Sequence, residues 1–284
     1  MNKICVLGSM NMDLVLKVKD MPKVGETILS KSFQKIAGGK GANQAVAAKR
    51  SGAEVFMISK IGKDENGREL RDKLVEDNID VKYVFEDRIE PTGMALIMVN
   101  DNGNNSIIVN AGSNMTLTKE EIHSAENLIK ESDIIISQFE TPEDITIEAF
   151  KIAKENGKVT ILNPAPAKKI KDIEDAKKAG DIFLGKGVKF AIITLGEKGA
   201  ALIGKDFCEI VPAYRVNAID TTAAGDSFIG GLSSKLDTKN LGRETLSSSI
   251  RFGNKVSSIA VQRKGAQPSI PYLKEVLEVY KGEE

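Results

Sequence analysis

Short apolar runs alternate with helical stretches through most of this chain: "KICVLG", "GANQAVAAKRSG", "EVFMISKIG", "NGRELRDKLVEDN", "SDIIISQFE", "EDITIEAFKIAKENG", "KVTILNPAP", "EDAKKAGDIFLGKG" and "KFAIITLG". A run that is apolar at consecutive positions is buried on both faces, and a helix after each run supplies the crossover that parallel strands need. The rhythm predicts an α/β fold, a doubly wound, mostly parallel sheet with helices on both faces. The 284 residues suffice for a large core. With no internal repeat, low-complexity tract or proline-rich linker, the reading is a single domain over residues 1–284.

Two stretches break the rhythm, residues 13–37 and 92–111. In the second, alternating runs flank "NDNGNN", whose Asn-Gly step signals a tight hairpin. The first carries Pro22 and Gly25 between β-prone runs. Together they predict a small antiparallel β lid with one open face, serving as a cover over a ligand and as the interface of a homodimer.

Charge and rare residues narrow the function. Lys and Arg number 40, as do Asp and Glu, so no net field draws the chain to nucleic acid or an anionic membrane. Cys5 and Cys208 lack the spacing of a metal knuckle or redox pair and read as buried reduced thiols. No apolar run approaches the roughly 20 residues of a membrane span, and the first residues turn polar too early for a signal peptide. A cytoplasmic protein is expected. The single histidine, His123, lies in "KEEIHSAENLIK" and reads as a solvated helix residue, which argues against a serine hydrolase triad or a multi-histidine zinc site.

Chemistry concentrates in "DTTAAGDSF", residues 220–228. A short strand is expected to end near Asp220, residues 221–224 to turn, and a helix to start about Gly225. The free N–H groups of a helix start form an anion site, and small residues let a phosphate approach the backbone. Asp226 in that first turn has two readings, a complement to the helix dipole or a base that takes a proton from an attacking alcohol. Asn11 and Asp13 follow the first strand, where open parallel sheets bind ligands; they read either as sugar-hydroxyl contacts or as an Asx turn. "AGGKGANQAVAAKRSG" is a glycine-rich turn entering a helix, but Gly-Lys is followed by Gly41 rather than Ser or Thr, so it matches neither the Walker signature nor the dinucleotide fingerprint.

Taken together, "GSMNMD", "GET", "AGGKGANQAVAAKRSGA", "IGKDENG", "NPAPA", "ITLGEKGA", "DTTAAGDSF" and "AVQRKGAQPS" resemble the ribokinase (PfkB) family of sugar kinases, in that family's order and over nearly the whole chain. The resemblance implies transfer of the γ-phosphoryl group of ATP to the 5-hydroxyl of D-ribose, with deoxyribose, another sugar or a nucleoside as alternative substrates. It implies Asp226 as catalytic base, Ala223, Ala224 and Gly225 as an anion hole, and Asn11, Asp13, Gly39, Lys40, Asn43 and Glu140 as sugar contacts. Thr194, Gly196, Glu197, Gly199, Gly225 and Asn254 correspond to nucleotide positions. Asp220, Thr222, Ala260, Arg263, Gly265 and Ser269 correspond to a monovalent-cation site. Mg²⁺ with ATP and activation by K⁺ are therefore expected.

The chain departs from the family pattern near 167–175. The family carries a helix, a further parallel strand and an Asn-x-x-Glu motif between "NPAPAKK" and "DAKKAG"; here only "IKDIE" fills the interval. Direct pairing of "VTIL" with "FAIITL" would close the sheet across the gap, and two accounts follow: a shortened protein with impaired Mg·ATP binding, or a recorded sequence from which residues have dropped out. The last is the expectation. A sugar-binding protein with little catalysis is the reading from another class.

Overall fold

The computed structural model describes residues 1–165 and 172–282, so residues 166–171 of the shortened interval lie outside the described residues. In chain order the strands are β1 (Lys3–Leu7), β2 (Asn11–Lys17), β3 (Ser32–Gly38), β4 (Glu54–Gly62), β5 (Asp80–Asp87), β6 (Gly93–Val99), β7 (Asn105–Asn110), β8 (Ile134–Gln138), β9 (Val159–Asn163), β10 (Ala191–Thr194), β11 (Ala200–Gly204) and β12 (Phe207–Val211). The helices are α1 (Lys40–Arg50), α2 (Glu65–Glu76), α3 (Lys119–Ser124), α4 (Glu126–Glu131), α5 (Glu143–Glu155), α6 (Ile173–Gly185), α7 (Ala224–Ser234), α8 (Arg243–Ala260) and α9 (Leu273–Val279).

The central sheet is parallel throughout, in the order β5-β4-β1-β8-β9. Strand β1 shows why its run is apolar at consecutive positions. Ile4 and Val6 join the core that also holds residues of α1, α2, α7 and α8, whereas Cys5 and Leu7 join the core built with α3, α4 and α5. All four side chains are fully buried, each contributing about 1.5–3 kcal/mol where it is a Val, Leu or Ile. Helices therefore cover both faces, as the sequence predicts. His123 sits half-exposed on α3, Cys5 is buried and Cys208 partly so, both as free thiols. Among the described residues no helix is long and apolar enough to cross a membrane.

The lid forms as a separate four-stranded sheet in the order β3-β2-β6-β7. Its outer pairs are antiparallel, and the Asn-Gly step makes the expected hairpin, with Gly103 at φ 80° and its N–H bonded to the Asn100 carbonyl. The middle pair, β2 with β6, runs parallel because each strand enters the lid from the same end of the central sheet.

Two local expectations need correction. The run "FAIITL" is not a strand of the parallel sheet: β10 pairs antiparallel with β11 in a three-stranded sheet, β10-β11-β12, and β9 is left as the edge of the central sheet. A hairpin partner adjacent in sequence satisfies β10, while nothing in the described residues bridges the gap to β9. Nor does a strand precede Asp220. The segment is irregular, and the N–H groups of Ile219 and Asp220 both donate to the Val261 carbonyl just past α8 (2.7 and 3.1 Å).

Helices α1 and α7 cross closely because small residues face each other. A Cβ on Gly230 would lie 2.4 Å from the Ala47 Cβ and 2.6 Å from the Ala48 nitrogen. Alanine on one helix and glycine on the other set an approach that larger side chains forbid.

Candidate active site

The site lies at the carboxyl ends of β1 and β8, between the amino-terminal ends of α1 and α7 and beneath β2. That is the crevice in which open α/β sheets bind ligands. Helix α7 begins at Ala224, preceded by Ala223 in the left-handed conformation at φ 58°. This turn delivers Asp226 to the first turn of α7, where its side chain is buried with 8% exposure. The Ala224 N–H donates to the Thr221 carbonyl at 3.2 Å. A side chain on Gly225 would meet open space, so the backbone there is open to approach.

Asp226 is held from α1. Asn43 Nδ2 donates to Oδ2 and Gln44 Nε2 donates to Oδ1, each at 3.0 Å. Burial pushes the Asp226 carboxyl above the ordinary carboxylate range, opposed by the Lys40 ammonium and by the Gln44 and Asn43 donors, with Glu140 adding to the rise.

A second acidic group gathers around Lys40. Its Nζ lies 3.8 Å from Glu140 Oε1. Glu140 Oε2 accepts from Ser9 Oγ at 2.5 Å and from the Lys40 N–H at 3.3 Å. Asp13, on β2, is pushed up to about 7, first by burial and then by the Glu140 charge, with Lys40 opposing and Asp226 adding. Asn11 accepts at Oδ1 from Asn114 Nδ2 at 2.7 Å, and Asn114 Oδ1 accepts from the Met10 N–H at 2.9 Å. Gly39 caps α1 at φ 89°, where a Cβ would sit 2.7 Å from the Asn11 nitrogen and 2.9 Å from both the Met10 Cα and the Ser9 carbonyl oxygen. Only glycine fits there. The predicted sugar contacts Asn11, Asp13, Gly39, Lys40, Asn43 and Glu140 thus gather near Asp226 from three separate stretches of chain.

The nucleotide positions lie on other elements. Thr194 ends β10, and Gly196, Glu197 and Gly199 form the turn into β11, with Gly196 at φ 60° and Gly199 at φ 100°. Asn254 on α8 is buried and spends its Nδ2 on the carbonyls of Val211 and Pro212 (3.3 and 2.9 Å), so in this structure it ties α8 to the end of β12. Of the cation positions, Asp220, Thr222 and Gly265 are joined by hydrogen bonds. Asp220 Oδ1 accepts from the N–H and hydroxyl of Thr222 (2.9 and 2.6 Å), and Oδ2 accepts from the Gly265 N–H (2.9 Å). Burial acts to raise the Asp220 carboxyl, but those donors and Lys264 outweigh it and hold it below the ordinary range. Ala260 accepts from the Arg263 N–H at its carbonyl, the Arg263 side chain pairs with Glu275 (2.6 Å), and Ser269 is fully buried.

Reading the sequence alone missed Ser9, Gln44, Asn114, Gln138 and Asn163. Ser9, Gln138 and Asn163 stand at or just past the carboxyl ends of apolar strands, which is a legible signal of a ligand-facing position.

The pattern of the pfkB family carbohydrate kinase matches residues 1–173 and 167–273. The chain belongs to the pfkB family of carbohydrate kinases. Members are phosphotransferases with an alcohol acceptor. Ribokinase of Staphylococcus aureus (strain COL) is 40% identical, with 98% of this chain and 99% of the relative covered. That alignment runs over 309 positions, more than the 284 residues of this chain, so the relative carries residues this chain lacks. Deoxyribokinase of Salmonella typhi is 32% identical, with 96% of each chain covered. The structure described as Arabidopsis thaliana ribokinase complexed with ribose and ATP superposes with a TM-score of 0.85 at 28% identity, covering 99% of both chains. The pfkB fold is thus present almost throughout, and its match breaks into two segments at the shortened interval.

Proposed function

We propose that the chain is an ATP-dependent kinase that transfers the γ-phosphoryl group to the 5-hydroxyl of D-ribose, with Asp226 as base. The observation that carries this is a buried carboxylate in the first turn of α7, clamped by two amides beside a second acidic and amide cluster. A carboxylate that merely complements a helix start needs neither burial nor side-chain donors, and Asp226 has both, so it has work besides complementing the helix dipole. Asp226 accepts the hydroxyl proton, the N–H groups of Ala223 and Gly225 face the charge on the transferred group, joined by that of Ala224 once it leaves the Thr221 carbonyl, and Asn11, Asp13, Lys40, Asn43 and Glu140 hold the sugar hydroxyls. An aspartate is a weak base for an alcohol, so alignment and charge neutralisation supply most of the acceleration.

Thr194, Gly196, Glu197, Gly199 and Asn254 line the nucleotide side. Mg²⁺ needs only one or two protein carboxylates beside the phosphates. Among the described residues no cluster of three His, Cys, Asp or Glu could hold a metal on its own, and Mg²⁺ accordingly enters with ATP. The monovalent-cation residues suit K⁺, because their donors are oxygens and the Asp220–Gly265 bond brings the two segments together. K⁺ held by these residues would supply positive charge near the proposed anion hole. Ile107, Ile108 and Val109 lie exposed on β7 and support a homodimer through the lid. A kinase that consumes ATP belongs in the cytoplasm, where ATP is made available.

The single domain spans residues 1–284, with a lid from about 13–37 and 92–111 and with the family's strand, helix and Asn-x-x-Glu segment absent near 167–175. The edge position of β9, its separation from β10 and the two-segment family match support that reading. They also favour a second reading, a sugar-binding protein with impaired catalysis. ADP release, coupled to NADH oxidation with Mg²⁺ and K⁺ present, tests both against ribose, deoxyribose, fructose and a nucleoside. Ribose-dependent release is expected; saturable ribose binding without release would establish the impaired binder, and a stronger response to deoxyribose would reassign the substrate.

A further inference from the structure

We propose that Gln44 is a positioning residue for Asp226, fixing one carboxylate oxygen while Asn43 fixes the other, and that Gln138 determines which end of the Gln44 amide faces that carboxylate. The proposal rests on Asp226 acting as the base. A carboxylate on a single helical residue can rotate about its side-chain bonds. Two donors at 3.0 Å, one to each oxygen, remove that freedom. They come from consecutive residues of α1, which can share one carboxylate only because α1 and α7 cross so closely.

An amide has a wrong way round. With its oxygen toward Asp226, Gln44 would repel the carboxylate. Gln138 Nε2 donates to Gln44 Oε1 at 2.8 Å, which assigns the Gln44 nitrogen to Asp226. The second hydrogen of that nitrogen goes to Asn163 Oδ1 at 3.2 Å. Every donor and acceptor of Gln44 is therefore used, and Gln44 and Gln138 are essentially without exposure (0% and 1%). A residue needed only to fill the core at this place would be apolar, since burying an amide costs desolvation; Gln138 Oε1 and Asn43 Oδ1 are buried here without a partner, so the network keeps that cost in order to hold Asp226. The network runs from the ends of β8 and β9, across Gln44, to the reacting carboxylate. Charged groups facing Asp226 from the surrounding elements are Lys40 on α1, Glu140 after β8 and Asp13 on β2; Lys40 favours its ionised form and the two acids oppose it.

Gln44→Met keeps the side chain's length and removes its donors and acceptor; Gln138→Met removes the orienting donor and leaves Gln44 in place. Four readouts apply: kcat, the ribose dissociation constant by calorimetry, the pH profile of kcat, and the titration of the Asp226 carboxyl carbon by ¹³C NMR in the sugar-free protein, assigned with Asp226→Asn. Gln44→Met is expected to lower kcat by about 10- to 100-fold with ribose affinity within threefold, and to move the acid limb of kcat and the Asp226 titration to higher pH. Gln138→Met gives the same pattern at smaller size. A loss of kcat with the Asp226 titration unmoved, an effect on affinity alone, or loss of the folded state in both variants would overturn the proposal. Because the NMR titration needs no substrate, it judges Gln44 even if ribose proves not to be the substrate, an outcome the wild-type ADP assay reports separately.

Discussion

Asn43 Nδ2 and Asp226 Oδ2 meet at 3.0 Å across 183 residues of sequence, joining the amino-terminal turn of α1 to that of α7. This contact joins a predicted sugar contact to the carboxylate proposed as the base. Its consequence is that binding and chemistry can be separated by substitution. Asp226→Asn keeps the shape and removes the base, so kcat should fall by about 10²- to 10⁴-fold with the ribose dissociation constant within a few-fold. Steady-state kinetics together with calorimetry check this, and near-normal turnover in Asp226→Asn would remove Asp226 from the mechanism.

Asp13, proposed as a sugar contact, should make ribose binding and folding respond to pH in opposite senses. Its carboxyl, pushed up to about 7, is protonated in the folded, sugar-free protein at moderately acid pH. Hydrogen bonds accepted from sugar hydroxyls are stronger to the ionised form, so ribose affinity should weaken as pH falls below about 7. For stability, the folded state binds more protons than the unfolded state between the ordinary aspartate value and about 7, and stability from this group is lost as pH rises through that window. Asp13→Asn should flatten that slope and raise the melting temperature at pH 8 while abolishing tight ribose binding. Melting curves from pH 5 to 8 for both proteins check the sign; a wild-type curve that gains stability from Asp13 with rising pH would contradict the burial argument.

The close approach of Gly230 to Ala47 and Ala48 sets the α1–α7 distance and hence the two hydrogen bonds that the Asn43 and Gln44 amides donate to Asp226. Gly230→Val should push the helices apart, cost about 1–3 kcal/mol by overpacking, and lower kcat at temperatures where the protein remains folded. Chemical denaturation and kinetics on the same sample check it. Full kcat in a destabilised variant would mean that helix spacing does not control the carboxylate.

Lid association should depend on β7. Ile107, Ile108 and Val109 are each more than half exposed and adjacent on an edge strand. Replacing Ile108 with Lys puts charge at that edge and should convert a dimer into a monomer by sedimentation equilibrium. An unchanged mass would exclude this edge as the interface.

Potassium activation should pass through Asp220. Asp220→Ala releases Thr222 and the Gly265 N–H, freeing the two segments from one another. The dependence of kcat on K⁺ concentration should weaken or vanish in this variant, with Na⁺ as the control ion, whereas an unaltered K⁺ response would move the cation elsewhere.

Sequence alone determined what local physics can encode. Consecutive apolar positions in "KICVLG" implied burial on both faces, "NDNGNN" implied the hairpin, and small residues before Asp226 implied a carboxylate at a helix start; all three stand in the structure. Tertiary packing decided the rest. Whether β2 and β6 run parallel, and whether β10 joins β9 or β11, depends on which edges meet after the chain has crossed over, and apolar periodicity is the same for either outcome. The pairing of Gln44 with Asp226, Gln138 and Asn163 was equally hidden. Periodicity reports that a polar residue is buried, while its partner is chosen by how closely two helices and two strand ends, far apart in the chain, come together.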